Sequence, residues 1–251
     1  MSRNRELISN IGLRLDGRRA LELRRIRCKL GLFSEPDGSA YIEQGLTKVL
    51  AAVYGPHQVR GNRSKAQHDC AIVNCQFSMA VFSTGERKRR PRGDRKSTEM
   101  SIHLHQALIA AIKVELYPWS QIDVYVEVLH ADGGIYPACV NAATLALIDA
   151  GIPLKEYLCA CTASLASNDI PMIDISHQEE IMGGPTLTVA ALPMSGKVVL
   201  LEMSQRFHVD HLPKVLDKAL KGCIDIKNIL DEAVKNNVRE IGSSTGWASS
   251  T

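Results

Sequence analysis

Seven basic side chains and one acid fill the ten residues Arg87, Lys88, Arg89, Arg90, Pro91, Arg92, Gly93, Asp94, Arg95 and Lys96, a local charge of about +6. The whole chain is only +3, so the other 241 residues sum to about −3 and the positive charge is concentrated in one stretch. Such a stretch attracts a polyanion, and nucleic-acid phosphate is the usual one. Composition alone leaves three readings open: a solvated connection, a nuclear-import run, or a loop that contacts phosphates. Position favours the third. The run falls between a strand and a helix, with Arg95 and Lys96 just ahead of a helix start predicted at Ser97, where backbone N–H groups also favour an anion. A second basic turn, with Arg60, Arg63 and Lys65, joins two neighbouring predicted strands, and two such loops can line one basic surface. Aromatic residues make up only 5% of the chain, and no RNP, KH or zinc-finger pattern occurs. The expected contact is therefore with the RNA or DNA backbone, without base reading.

A second place with chemical potential is His130-Ala131-Asp132-Gly133-Gly134-Ile135-Tyr136-Pro137-Ala138, where a strand ends, two glycines turn the chain and a helix begins. That geometry cradles a phosphate. A working phosphate site adds hydroxyl and guanidinium donors, whereas this chain supplies Ile135, the phenol of Tyr136, and Pro137, which removes an N–H from the first helical turn. The segment reads as a structural turn in preference to an anion pocket.

Metal and redox chemistry find less support. His103 and His105, two apart in a helical pattern, point to different faces, and His208 and His211 have no accompanying carboxylate or cysteine motif. Seven cysteines include no Cys-x-x-Cys pair, so they read as reduced, buried thiols in a reducing compartment. No metal and no cofactor are expected. No run of about 18 apolar residues exists and Met1–Asn10 lacks an apolar signal core, so neither membrane insertion nor secretion is expected.

The elements that must position these residues follow from periodicity. Leu23–Leu30, Ala40–Gln44, Thr47–Tyr54 and Ala71–Met79 read as short strands, and a helix runs from Ser97 to Pro118 with apolar residues at spacings of three and four. Ile122, Val124, Val126 and Val128 alternate with polar residues as a strand, and a helix over Ala138–Ala150 is stopped by Gly151 and Pro153. A second block has strands near Leu158–Ala166, Met172–Ile175, Thr186–Leu192 and Val198–Met203, then a long amphipathic helix from Leu212. Strands followed by helices in both blocks predict an α+β protein, two strand-rich layers with helices around one core. The predicted organisation is an N-terminal segment 1–12, one compact domain 13–241 with halves near 13–153 and 154–241, and a disordered Ser-rich tail 242–251.

Several ordered motifs are similar to those of the RNase PH family: Asp16-Gly17-Arg18-Arg19, Gly38–Gly45, Phe82–Lys88, Asp132-Gly133-Gly134, and Asn141-Ala142-Ala143 followed by Asp149–Pro153. The resemblance runs from about Leu13 to Ile241, and within the family it points to the ring subunits of eukaryotic RNA exosomes. It implies the RNase PH-like fold (ribosomal protein S5 domain 2-like) and a place in a ring of related subunits capped by S1/KH-domain proteins. RNA would thread the ring to an associated exoribonuclease, for rRNA processing and mRNA turnover in nucleus, nucleolus and cytoplasm.

Active members of the family attack the terminal RNA phosphodiester with bound phosphate, which demands a hydroxyl, an arginine and a carboxylate pair. The resemblance puts Ile135 and Tyr136 where the hydroxyl and arginine belong, and Glu180 and Thr186 where the carboxylates belong. It therefore implies a degenerate site with no catalytic residues. Arg95 and Lys96 match the family's RNA-contacting basic pair, and the Arg60–Lys65 turn matches a channel-entry loop. An active phosphate-dependent 3′-to-5′ exoribonuclease is the alternative.

Overall fold

The structure is a computed structural model of the 251-residue chain, and it describes residues 7–9, 11–59, 68–87, 94–166, 170–182, 184–206 and 208–244. The chain opens with a meander of β1 (Ile26–Leu30), β2 (Gly38–Gln44) and β3 (Thr47–Gln58), all antiparallel. Gln44 pairs with Thr47, so Gly45 and Leu46 make a two-residue hairpin turn in which Gly45 takes a φ of +62°. Strand β4 (Ile72–Met79), helix α1 (Arg95–Ala111) and strand β5 (Ser120–His130) follow. β5 enters between β3 and β4, antiparallel to the first and parallel to the second, which gives the order β1-β2-β3-β5-β4.

The second half repeats the theme on a smaller scale. β6 (Cys159–Leu165), β7 (Pro171–Ile173), β8 (Thr186–Leu192) and β9 (Lys197–Met203) form an antiparallel sheet of order β7-β6-β8-β9. A short helix α3 (His177–Ile181) follows β7, and the long α4 (Leu212–Ser244) closes the fold.

Helix α2 (Ile135–Asp149) joins the halves. Every residue from Tyr136 to Leu147 is buried, because α2 packs on β2 and β3 with one side and on β6 and β8 with the other. Its sequence is apolar except for Asn141, Thr144 and Asp149 and is rich in alanine, which suits a helix covered on every side and lets both sheets approach closely. Contact with β2 is so close that a Cβ on Gly38 would lie 2.3 Å from the Ala146 carbonyl oxygen. α4 covers the other face of the second sheet through Val215, Ala219, Cys223, Ile226 and Leu230, so both faces of β6 are buried. One continuous core spans both sheets. The α+β architecture with two strand-bearing layers is thus present.

Element ends differ from the sequence expectations where side chains intervene. The first strand begins at Ile26 and not at Leu23, because the Arg24 backbone N–H is drawn 2.7 Å from the Asp174 carboxylate. β3 continues past Gly55-Pro56 by a register shift between Tyr54 and His57. α1 starts at Arg95, two residues before Ser97, because the Asp94 carboxylate accepts the Arg95 N–H at 2.8 Å. α2 starts at Ile135, three residues before Ala138. α4 extends to Ser244, so Gly242, Ser243 and Ser244 are helical where a disordered tail was expected; residues 245–251 lie outside those described.

Candidate functional site

The Asp132-Gly133-Gly134 turn is built by buried charge. Arg24 donates from Nη1 to the Asp132 carbonyl at 2.7 Å and from Nη2 to the Gly133 carbonyl at 3.3 Å, and Thr47 Oγ1 donates to the Gly133 carbonyl at 2.8 Å. The same guanidinium pairs with fully buried Asp174, with Nε at 3.0 Å and Nη2 at 2.7 Å from Oδ1, while Gln44 Nε2 donates to that oxygen at 2.9 Å. Gly133 has a φ of +74°, and a Cβ there would lie 2.7 Å from the backbone of Ile175 and His177. Only glycine admits both that conformation and that approach. A second buried pair, Arg14 Nε to Glu179 Oε1 at 2.7 Å, fixes α3 from the chain ahead of β1, and Arg14 and Arg18 also donate to the Asp174 carbonyl. This network locks α3 against the glycine turn that begins α2.

Between them opens a cavity of about 160 Å³. It gathers Ile135 and Tyr136 from the start of α2, Glu180 from α3 and Thr186 from β8, so the four residues singled out as a degenerate site do share one space. Their chemistry there is limited. Ile135 has no polar atom. Tyr136 is only 4% exposed, its ring meets the His103 ring edge-on, and its hydroxyl donates to the His103 carbonyl at 3.4 Å. Burial pushes its phenol pKa up strongly and the Glu202 carboxylate adds to the effect, so Tyr136 stays neutral. The Thr186 hydroxyl is engaged by the Ser204 hydroxyl. Glu180 is half exposed, with its Oε2 3.9 Å from His177 Nδ1.

Sequence reasoning missed Glu202, on β9, which lines the same cavity and lies 3.8 Å from His103 Nδ1. The available signal was a lone acid inside the apolar run Val198-Val199-Leu200-Leu201-Glu202-Met203. The buried framework of Arg14, Arg24, Asp174 and Glu179 was missed as well, because its partners are far apart in the chain.

The basic residues divide into two groups. Arg87 is exposed at the end of the turn after β4, and Arg95 and Lys96 are exposed in the first turn of α1. Arg95 borders a groove on α1 with Thr98, Glu99, Ile102 and His103, and His103 also faces Glu202, so groove and cavity adjoin. Arg60, Arg63, Lys65, Lys88, Arg89, Arg90 and Arg92 lie outside the described residues. Among the described residues no cluster of three or more His, Cys, Asp or Glu is arranged to hold a metal, and no helix is long and apolar enough to cross a membrane. Cys139, Cys159, Cys161 and Cys223 are buried, and burial pushes the Cys159 thiol up to about 12.

Two family models match the chain: the 3′ exoribonuclease family (RNase PH), domain 1, over residues 22–153, and domain 2 of that family over residues 156–222. The human protein "Exosome complex component RRP41" is 57% identical over 235 residues, covering 94% of this chain and 96% of its own length. Among solved structures, rice Rrp46 superposes with a TM-score of 0.76 at 23% identity over 87% of this chain and 98% of its own. The Archaeoglobus fulgidus exosome with RNA bound to the active site gives a TM-score of 0.74 at 19% identity over 87% of this chain and 92% of its own. These two likenesses establish the fold.

Proposed function

Because the chain belongs to the RNase PH family of 3′ exoribonucleases, we propose that it is a non-catalytic ring subunit of an RNA exosome, the counterpart of the human component to which it is 57% identical. In this reading it binds RNA by its backbone and guides it through a central channel to an associated exoribonuclease. The single observation that carries it is the cavity in front of α2, where an apolar Ile135, a buried neutral Tyr136 and a Thr186 hydroxyl committed to Ser204 stand where phosphorolysis needs donors and a second carboxylate. Loss of one preorganised charge stabiliser costs about 10²- to 10³-fold in rate, and three departures in one site leave little. Arg95 and Lys96 meanwhile stay exposed at the start of α1, as does Arg87 at the other end of the basic run.

Neighbouring RNase PH-like subunits, S1/KH-domain caps and the nuclease are the partners of this reading. Nucleus, nucleolus and cytoplasm are its compartments. Support for a ring comes from the names of the relatives, and support for RNA from the exposed cations.

The assembled ring, radiolabelled RNA and inorganic phosphate provide the test. No nucleoside diphosphate is expected from this subunit, and Arg95→Ala with Lys96→Ala is expected to weaken RNA retention. That pair should also lower the salt slope of binding by roughly 0.7 for each RNA phosphate that is no longer neutralised. Retention and slope equal to wild type would refute the guiding role. A second reading, an active phosphorolytic enzyme, draws on the two carboxylates Glu180 and Glu202 in one cavity; phosphate-dependent diphosphate release that disappears in Glu180→Gln would establish it.

A further inference from the structure

Trp119 holds a backbone conformation that its own residue type disfavours. It lies in the turn Tyr117-Pro118-Trp119-Ser120, which leads from a short 3-10 turn (Val114–Leu116) into β5, and its φ of +60° after a proline suits glycine at the third position of a turn. Among the described residues only Trp119 and Asp174 are non-glycine residues with positive φ. Asp174 offsets that strain through its buried pair with Arg24. Trp119 has no comparable compensation, because 49% of it stays exposed and burial contributes correspondingly little. A bulky side chain kept at the surface in a strained conformation points to a function outside packing.

The indole is also held in place. The exposed His68 ring meets it edge-on with centroids 4.0 Å apart, and Ser120 Oγ donates to the Tyr117 carbonyl at 2.7 Å, which fixes the turn. Ser120 pairs with Gln58, the last residue of β3. Trp119 therefore stands between the point where the chain leaves β3 and the point, His68, where it comes back towards β4. Between those two anchors the sequence carries Arg60, Arg63 and Lys65, with Asp69 as the acid just beyond. An aromatic surface set among cations is the combination that holds single-stranded nucleic acid.

We propose that Trp119, braced by His68, is a stacking platform for one base of single-stranded RNA. Stacking is indifferent to base identity, so the platform adds affinity without base reading. The His68 contact restrains the indole before RNA arrives, which lowers the ordering cost of binding. A protein partner would also accept an exposed indole, but the three neighbouring cations in the sequence favour a polyanion. The platform rests on the RNA-guiding reading and adds to it a residue that acts through the base and not through phosphate.

Trp247 is the one other tryptophan of the chain, and its replacement by phenylalanine throughout leaves Trp119 as the sole emitter. The full chain is titrated with an oligouridylate of about ten nucleotides, within the usual span of such sites, and in parallel with inorganic polyphosphate, which has the charge but no bases. The oligonucleotide is expected to quench Trp119 emission and polyphosphate is not. Trp119→Gly is expected to weaken oligonucleotide binding roughly 5- to 150-fold, with Trp119→Phe recovering most of the loss. The salt slope should stay as in wild type, since no phosphate contact is removed. The urea midpoint of Trp119→Gly should hold or rise, because glycine takes a positive φ freely. Wild-type oligonucleotide affinity in Trp119→Gly would overturn the proposal. So would unchanged affinity combined with failure to enter a ring of related subunits, which would assign the indole to a protein partner. If Trp119→Gly does not fold, the titration of the parent decides, and emission unchanged at saturating oligonucleotide refutes the platform. Arg95→Ala with Lys96→Ala, measured alongside, separates the two readings: weaker RNA binding in that pair but not in Trp119→Gly leaves the guiding role standing and removes only the platform.

Discussion

Glu179 shows how much of the site depends on a residue that never touches it. Burial alone would raise its carboxyl pKa, but hydrogen bonds from Arg14 and Ser176 and the Arg14 charge more than offset that, and the net shift is below the ordinary 4.5. A folded-state pKa below the unfolded one contributes stability that is fully present above about 4.5 and disappears as pH falls through the lower, folded value. Glu179→Gln leaves the Arg14 guanidinium buried without its partner, which costs about 3–5 kcal/mol near neutrality. Urea denaturation at a series of pH values should show that the gap between wild type and Glu179→Gln narrows as pH drops below 4.5. A gap independent of pH would mean that the pair does not carry the linkage. Asp174 serves the same framework from the other side, taking a φ of +55° to present one carboxylate to Arg24 and Gln44.

At the scale of elements, α1 and α2 are made for different purposes. α1 places Arg95 and Lys96 at its positive end, where cations oppose the dipole by about 0.3–1 kcal/mol each. A helix chosen only for stability would carry acids there, so this arrangement accords with a role in contacting anions. α2 is instead chosen for close packing. Gly38→Ala would drive a Cβ into the Ala146 carbonyl and the Ala150 backbone nitrogen, at 2.3 and 2.4 Å, and neither backbone can give way without moving the helix. We expect a loss of about 1–3 kcal/mol in chemical denaturation, the usual range for overpacking. An unchanged midpoint would show that β2 and α2 are not held as tightly as the geometry requires. The periodicity of α4 and the alternation of β5 were legible in the sequence because each has one solvated face. The extent of α2 was not, since a helix covered on all sides has no polar stripe to mark its start.

Over the whole molecule, the chain has two sheets but one core, because α2 is shared between them. Neither half can bury its side of α2 alone. Thermal unfolding followed by far-ultraviolet circular dichroism and by near-ultraviolet absorbance should give superimposable transitions. Separate transitions for the two halves would contradict a shared core.

The local sequence determined what can be written within a few residues of itself: the charge of Arg87–Lys96, the turn at Gly133-Gly134, the absent hydroxyl and guanidinium at Ile135 and Tyr136, and the strands and helices with one wet face. These depend on residue type and on periods of two or 3.6, which the chain displays directly. Tertiary structure alone decided that Glu202 joins Glu180 and Thr186 in the cavity at the start of α2, and that Arg24 and Asp174, 150 residues apart, hold the turn. Such pairings depend on which strand lies beside which, and no local period encodes that. The basic run is the plainest case: its charge is written in ten consecutive residues, but only the fold sets Arg95 and Lys96 on α1 next to the cavity that Glu180 and Glu202 line.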